Sequence, residues 1–188
     1  MILHWDNFSR YYSDGFNHLN QYRSKFEAAG QTTFALLCCH YVPAGHLLKP
    51  STSNHVHAEQ NLLQTEMWTK QIPQALEEWN QFNDKMIVTM VVNRSPCQIC
   101  APLLVKALNR LHAQFPLRCE QNRFILAFRG VYEDKNFTHY TTITDLRRLK
   151  EAGWELCVLQ MGPTLSNRGQ MLLEGLKNIG GWGVTRLG

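Results

Sequence analysis

Two short clusters, distant in the chain, have to be brought together, and that demand limits the fold more than any other feature. His57-Ala58-Glu59 is the first and Pro96-Cys97-Gln98-Ile99-Cys100 the second. One histidine and two cysteines make a three-ligand set for zinc with the fourth position open, as a site that must hold a water requires. Glu59, two residues from the histidine, is within reach of such a water's protons. Cys97 and Cys100 stand three apart, so in a helix's first turn both sulfurs reach one side. The exposed N–H groups of that turn favour the thiolate. Each half alone is common. C-x-x-C also serves as a redox pair, and a closed structural site could take His55 as its fourth ligand. The full order His-x-Glu, helix, strand, Pro-Cys-x-x-Cys, helix is more specific than either half.

Periodicity supplies the elements around these clusters. Residues 6–29 carry Phe8, Tyr11, Tyr12, Phe16, Leu19, Tyr22 and Phe26 at helical steps, which predicts one N-terminal amphipathic helix ending at Gly30. Thr33–Val42 reads as a strand, Pro43-Ala44-Gly45 as a turn and His46–Lys49 as a short second strand, with 50–54 as loop. A helix follows from Ala58 to Trp68, continued or restarted after Pro73. Met86–Val92 is apolar on both faces, as a central strand covered from both sides should be. Pro96 opens a helix with Leu103, Leu104, Ala107, Leu108 and Leu111 on its buried face. Arg123–Tyr132 is the next strand. Thr142 and Asp145 form a capping-box-like start to a helix ending at Gly153, then Trp154–Gln160 is a strand and Asn167–Ile179 a last helix. Residues 180–188 read as a flexible tail. The alternation predicts a single α/β domain over 1–188, a sandwich with helices on the sheet faces and parallel neighbours in its C-terminal half.

Composition agrees with a folded domain. At 188 residues the chain can bury its own core, and 44% hydrophobic with 18% charged content excludes a disordered or fibrous protein. The net charge of +4 allows a polyanionic partner without requiring one. No apolar run approaches the ~20 residues of a membrane span, so no membrane partner is expected. Met1 to Asn7 lacks the pattern of a signal peptide. Of six cysteines, Cys38, Cys39, Cys119 and Cys157 read as small strand residues rather than a disulfide framework. These features point to the cytoplasm or nucleus, with a secreted or toxin-delivered domain as the alternative.

The H-x-E…P-C-x-x-C pattern is the signature of zinc-dependent nucleobase deaminases. Ser95-Pro96-Cys97-Gln98-Ile99-Cys100 resembles the S-P-C-x-x-C of the AID/APOBEC polynucleotide cytidine deaminases. Tyr132-Glu133-Asp134-Lys135 and Asp145-Leu146-Arg147-Arg148-Leu149-Lys150-Glu151-Ala152-Gly153 are similar to that family's fourth-strand loop and following L-R-x-L-x-x-A-G helix. Thr33–Tyr41 resembles its first strand. The resemblance implies a cytidine-deaminase-like three-layer α/β/α sandwich, with a five-stranded mixed sheet whose last two strands are parallel. It implies zinc on His57, Cys97 and Cys100, Glu59 as the catalytic acid–base, and substrate contacts at Thr33, Asn54, Ala58, Arg94, Ser95, Tyr132 and Asp134. Two positions depart from the family. Arg94 stands where a tryptophan usually precedes S-P-C, and Gly130 where a tyrosine usually ends the fourth strand, leaving Tyr132 as the nearest aromatic.

The activity implied is hydrolytic conversion of cytosine to uracil in single-stranded DNA or RNA, by a monomer with no organic cofactor. The alternatives are a free cytidine or nucleotide deaminase, and a catalytically silent zinc protein that binds nucleic acid. Tyr132, Phe137, His139 and Tyr140, with Lys135 and Arg129, interleave aromatic and basic groups as single-strand binding sites do. An ordinary surface loop is the competing reading. Arg147, Arg148 and Lys150 read as a solvated helix face, and Arg118, Arg123 and Arg129 are too dispersed to form a patch.

Overall fold

A computed structural model describes residues 1–12, 19–27, 32–41, 45–53, 56–79, 85–132 and 140–179. The strands are β1 (Ile2–His4), β2 (Phe34–Tyr41), β3 (Gly45–Thr52), β4 (Ile87–Val92), β5 (Arg123–Phe128) and β6 (Glu155–Gln160). They form one sheet in the order β1-β6-β5-β4-β2-β3. The helices are α1 (Trp5–Tyr12), α2 (Arg23–Glu27), α3 (Ala58–Leu63), α4 (Ile72–Glu78), α5 (Cys100–Gln114), α6 (Pro116–Gln121), α7 (Ile143–Glu151) and α8 (Asn167–Lys177). A π turn at Met67–Gln71 leads directly into α4, and Pro73 lies in that helix's first turn.

The α/β class and the mixed sheet agree with the sequence, and β5 and β6 are parallel as expected. The number of strands does not agree. A sixth, β1, pairs in parallel with β6, Ile2 opposite Val158 and His4 opposite Gln160. Three residues are too few to show an alternating pattern, which is why a five-stranded sheet was the expectation. Strands β4, β5, β6 and β1 run parallel, and β2 and β3 are antiparallel additions at the other edge. β3 is longer than the short strand expected and takes in Pro50. As an edge strand it has a free side on which a missing N–H is harmless.

Side chains alternate across the sheet, so the neighbours Cys38 and Cys39 enter opposite cores. Ala35, Leu37, Cys39, Val88, Met90, Leu126 and Val158 meet α3, α4, α5, α7 and α8 on one face. Phe34, Leu36, Cys38, Val91, Ile125 and Cys157 meet Trp5, Phe8, Leu19 and Phe26 on the other. The second face explains why the segment 6–29 is not one helix. On a continuous helix Trp5 and Phe26 would stand about 32 Å apart, yet their ring centroids lie 5.4 Å apart. The chain has already returned by Asn20, whose Oδ1 accepts from the Trp5 indole N–H at 3.0 Å, and Trp5, Phe8, Leu19 and Phe26 all cover the same patch of sheet. Residues 13–18 and 28–31, like the tail 180–188, lie outside the described residues.

The helix after the last loop starts as its sequence predicts. Thr142 Oγ1 accepts from the Asp145 N–H at 3.0 Å, and Asp145 Oδ2 accepts from the Thr142 N–H at 3.2 Å. It ends at Gly153, whose φ of 104° is the left-handed conformation that glycine reaches without strain. Among the described residues no helix is long and apolar enough to cross a membrane.

Candidate metal centre and its rim

α3 and α5 lie side by side on the same sheet face, and their N-terminal ends bring the two sequence clusters together. His57 immediately precedes α3. Its carbonyl accepts from the Asn61 N–H at 3.1 Å, and its N–H donates to Gln60 Oε1 at 3.3 Å. This holds the backbone that carries the imidazole. Gln60 was legible in principle, since a Gln three residues after a helix's first flanking residue completes a capping box, but it was not singled out. α5 begins at Cys100 rather than Pro96. The helical hydrogen bonding still reaches back to Cys97, whose carbonyl accepts from the Ala101 N–H at 2.9 Å.

The donor atoms converge. His57 Nδ1 lies 3.4 Å from Cys97 Sγ and 3.2 Å from Cys100 Sγ, and the three ligand atoms all fall within 4.8 Å of one another. Tetrahedral zinc, with bonds of about 2.3 Å to sulfur and 2.05 Å to nitrogen, sets N···S separations near 3.6 Å and S···S near 3.8 Å. The cluster therefore fits one small ion, which among the described residues meets three protein donors. The hydrogen bond from Cys100, with the backbone N–H groups of Cys100 and Ile99, pulls Cys97 down to about 5 against the opposing effect of burial. The hydrogen bond with Cys97, with burial, holds Cys100 above the ordinary thiol range. Cys97 is 2% exposed and Cys100 fully buried, so an anionic sulfur here needs a cation beside it.

Glu59 is 3% exposed, and its Oε2 has no hydrogen-bond partner among the described residues. Burial pushes its carboxyl up to about 7. A buried, unsatisfied carboxylate oxygen costs stability wherever it occurs, and Cys97, His57 and Cys100 are near enough to act on this carboxyl electrostatically.

The rim is built differently, from loops held by hydroxyls. Ser95 is 1% exposed. Its N–H donates to the Gly130 carbonyl at 2.7 Å, and its Oγ accepts from the Tyr132 N–H at 2.8 Å. The same Oγ lies 2.7 Å from Thr141 Oγ1, which donates to the Pro96 carbonyl at 2.8 Å. Either hydroxyl can donate across that contact. The Gln98 N–H reaches the Tyr140 carbonyl at 3.2 Å. Residues 95–98 are thus tied to both 130–132 and 140–141. Thr141 was missed in the sequence, where nothing marks it as a partner of a serine 46 residues away.

Arg94 places its guanidinium 5.9 Å from the centroid of the Tyr132 ring, a cation–π arrangement. Thr33 exchanges hydrogen bonds with Ser53 at 2.9 and 2.8 Å. Ala35 faces Val92 across β2 and β4, so continuing the register sets Thr33 opposite Arg94. Asn93 clamps that end of the pair, accepting from the Phe34 N–H at 3.0 Å and donating to the Thr32 carbonyl at 3.2 Å. The structure therefore gathers Thr33, Arg94, Ser95 and Tyr132 at one end of the sheet, while Ala58 is fully buried in the core. Asn54, His55, Asp134, Lys135, Phe137 and His139 lie outside the described residues.

Two further arginines prove committed elsewhere. Arg129 donates to the Phe26 and Glu27 carbonyls, both at 2.7 Å, and Arg123 forms a two-bond pair with Glu155 at 2.8 and 2.6 Å. Gly130 also has a local cause, because a Cβ there would come within 2.9 Å of Arg168 Cβ on α8.

No protein-family model matches the chain, and no curated protein matches it.

Proposed function

We propose that this chain is a zinc-dependent hydrolytic deaminase that converts cytosine to uracil in single-stranded DNA. The reading is carried by one observation, the unpartnered carboxylate oxygen of Glu59 buried beside a His-Cys-Cys group that could hold a metal ion. A purely structural site gains nothing from a buried carboxylate at that position. His57, Cys97 and Cys100 hold the zinc, which when bound supplies Lewis-acid activation of a water.

Glu59 does the proton work. Its Oε2 accepts a proton from the water as the water's oxygen bonds to C4 of the cytosine ring, and Glu59 delivers that proton to ring N3. It then carries the remaining hydroxyl proton to the exocyclic amine. The C4–N bond breaks, ammonia leaves, and the C4 carbonyl of uracil remains. The sum is cytosine plus water giving uracil plus ammonia. Burial keeps competing water away from the carboxylate, and the hydrogen bonds around His57 hold the ligand geometry fixed during turnover.

The polymer substrate is supported by the rim. Arg94 and Tyr132 together present a cationic and an aromatic surface, suited to stacking an unpaired base and to a neighbouring phosphate. The test measures uracil formation by the zinc-loaded protein on single-stranded DNA with one cytosine, on RNA and on free cytidine. Conversion in DNA that vanishes in Glu59→Gln, with zinc retained, is the expected result. Conversion of free cytidine alone overturns the polymer substrate, and no conversion of any of the three overturns deamination.

A further inference from the structure

α5 and α7 pack against each other, and between them lies a hollow of about 660 Å³. Ala101, Val105 and Ala152 line it, together with three exposed cations, Lys106, Arg110 and Arg148. On the other flank of α5, Lys106 and Arg110 also line a second hollow of about 460 Å³, shared with α3. The two residues therefore form a charged ridge between two depressions.

Four cations among the described residues are paired with carboxylates: Arg23 with Glu27, Lys70 with Glu66, Arg123 with Glu155 and Lys177 with Glu174. None of Lys106, Arg110 and Arg148 makes an ion pair among the described residues. Asp145 also lines the first hollow, but its carboxylate is engaged by Thr142, leaving Glu151 as the acidic counterweight. Lys106 and Arg110 stand four apart on one helix, where like charges repel and work against the helix. Three gathered cations exceed the acidic groups of the lining and give it a net positive charge, which favours an anion.

The hollow also has a direction. Ala101 follows the metal-binding Cys100 directly. Asp145 follows the 140–142 segment, which is tied to Ser95, Pro96 and Gln98. One end therefore abuts the rim of the metal centre, and from Ala101 to Ala113 the hollow runs about 18 Å along α5. No aromatic residue lines it, so bases have no surface to stack on, and what it offers a strand is charge for its phosphates.

We propose that the α5–α7 hollow, through Lys106, Arg110 and Arg148, binds the phosphodiester backbone of the single strand flanking the target base, without reading its sequence. The proposal rests on the polynucleotide reading given above. It deepens that reading by separating a chemical site that holds one nucleotide from an electrostatic track that holds the strand.

The experiment compares wild type with the triple variant Lys106→Ala, Arg110→Ala, Arg148→Ala, none of which touches the metal centre. Affinity is measured against salt for a long single-stranded oligonucleotide carrying one cytosine and for a pentanucleotide centred on cytosine. Thermal unfolding checks that the variant is folded, and the charge-preserving Lys106→Arg variant serves as a control. Removing three phosphate contacts lowers the slope of log K against log salt by about 2 for a single strand. Between 50 and 200 mM salt that amounts to about 20-fold less salt-induced weakening of the long oligonucleotide. Binding and conversion of the pentanucleotide stay at wild-type levels, and Lys106→Arg keeps the wild-type slope. An unchanged slope in a folded triple variant that still converts cytosine overturns the track and leaves deamination standing. The same unchanged slope, with loss of binding to a poly-glutamate peptide, reassigns the hollow to an acidic protein partner. A wild type that neither converts cytosine nor binds either oligonucleotide removes the polynucleotide reading, and the track with it.

Discussion

At the centre of the site, His57, Glu59, Cys97 and Cys100 come from the starts of two helices. Their backbones are fixed by helical hydrogen bonds and by packing on one sheet face. At the rim, Arg94, Ser95, Tyr132 and Thr141 come from strand ends and loops, and hydroxyl-to-backbone bonds do the holding. The centre is nearly sealed, with Glu59, Cys97 and Cys100 each at most 3% exposed, whereas Arg94 and Tyr132 remain partly open. A site divided this way separates two kinds of constraint. On the proposed function, positions at the centre must satisfy one ion and one carboxylate at once, so substitutions there are expected to act on chemistry. Positions at the rim meet only local bonding demands, so substitutions there act on stability and on what can bind.

The largest expected effects therefore lie at the centre. Cys100→Ala removes a buried ligand, and zinc content falls from one ion per chain to near zero with loss of all conversion, as metal analysis and the uracil assay would read. Zinc retained in full by this variant would mean that the ion sits elsewhere. Glu59→Gln comes next. It keeps the volume and the metal but removes the carboxylate proposed to carry the proton, and conversion is expected to drop by about 10²- to 10⁴-fold. A variant as active as wild type would move the acid–base role to another group.

Ser95→Ala tests the rim's framework. It strips the acceptor from the Tyr132 N–H and the partner from Thr141 in a place that is 1% exposed. A loss of ~1–3 kcal/mol of stability is expected, read by denaturant unfolding, with zinc content unchanged. If zinc is lost as well, centre and rim are not separable. Thr142→Ala removes the cap of α7 and costs about 1 kcal/mol, again leaving metal content alone.

The same division explains what the sequence disclosed. The centre was readable because its residue types have few joint uses and their spacings, two residues from His57 to Glu59 and three from Cys97 to Cys100, are set by local helix geometry. The cap at Thr142 and the stop at Gly153 were readable for the same local reason. The sixth strand was not, since Ile2–His4 acquires its role only by lying beside Val158–Gln160. Nor was the break in the 6–29 helix, because helical periodicity states which side chains share a face and says nothing of how wide a sheet surface they must cover. The Ser95–Thr141 contact joins two loops by tertiary structure alone. Arg129, which in sequence sits beside an aromatic loop, turns out to cap the end of α2.

Arg94 offers the smallest and most selective probe. Its guanidinium over the Tyr132 ring is a contact of about 0.5–1 kcal/mol, too weak to decide the fold but enough to bias which ligand surface the rim presents. Arg94→Trp exchanges a cation for a larger aromatic face at the boundary between the two regions. Stability is expected to stay within about 0.5 kcal/mol and zinc content to stay the same. The ratio of conversion in single-stranded DNA to conversion of free cytidine is expected to shift by up to about fivefold, the kinetic equivalent of a contact of that size. A shift in the ratio with no change in metal content places Arg94 among the residues that choose the substrate. An unchanged ratio with a large fall in rate on both substrates would instead assign it to the centre, and the boundary drawn here between chemistry and selection would have to move outward past it.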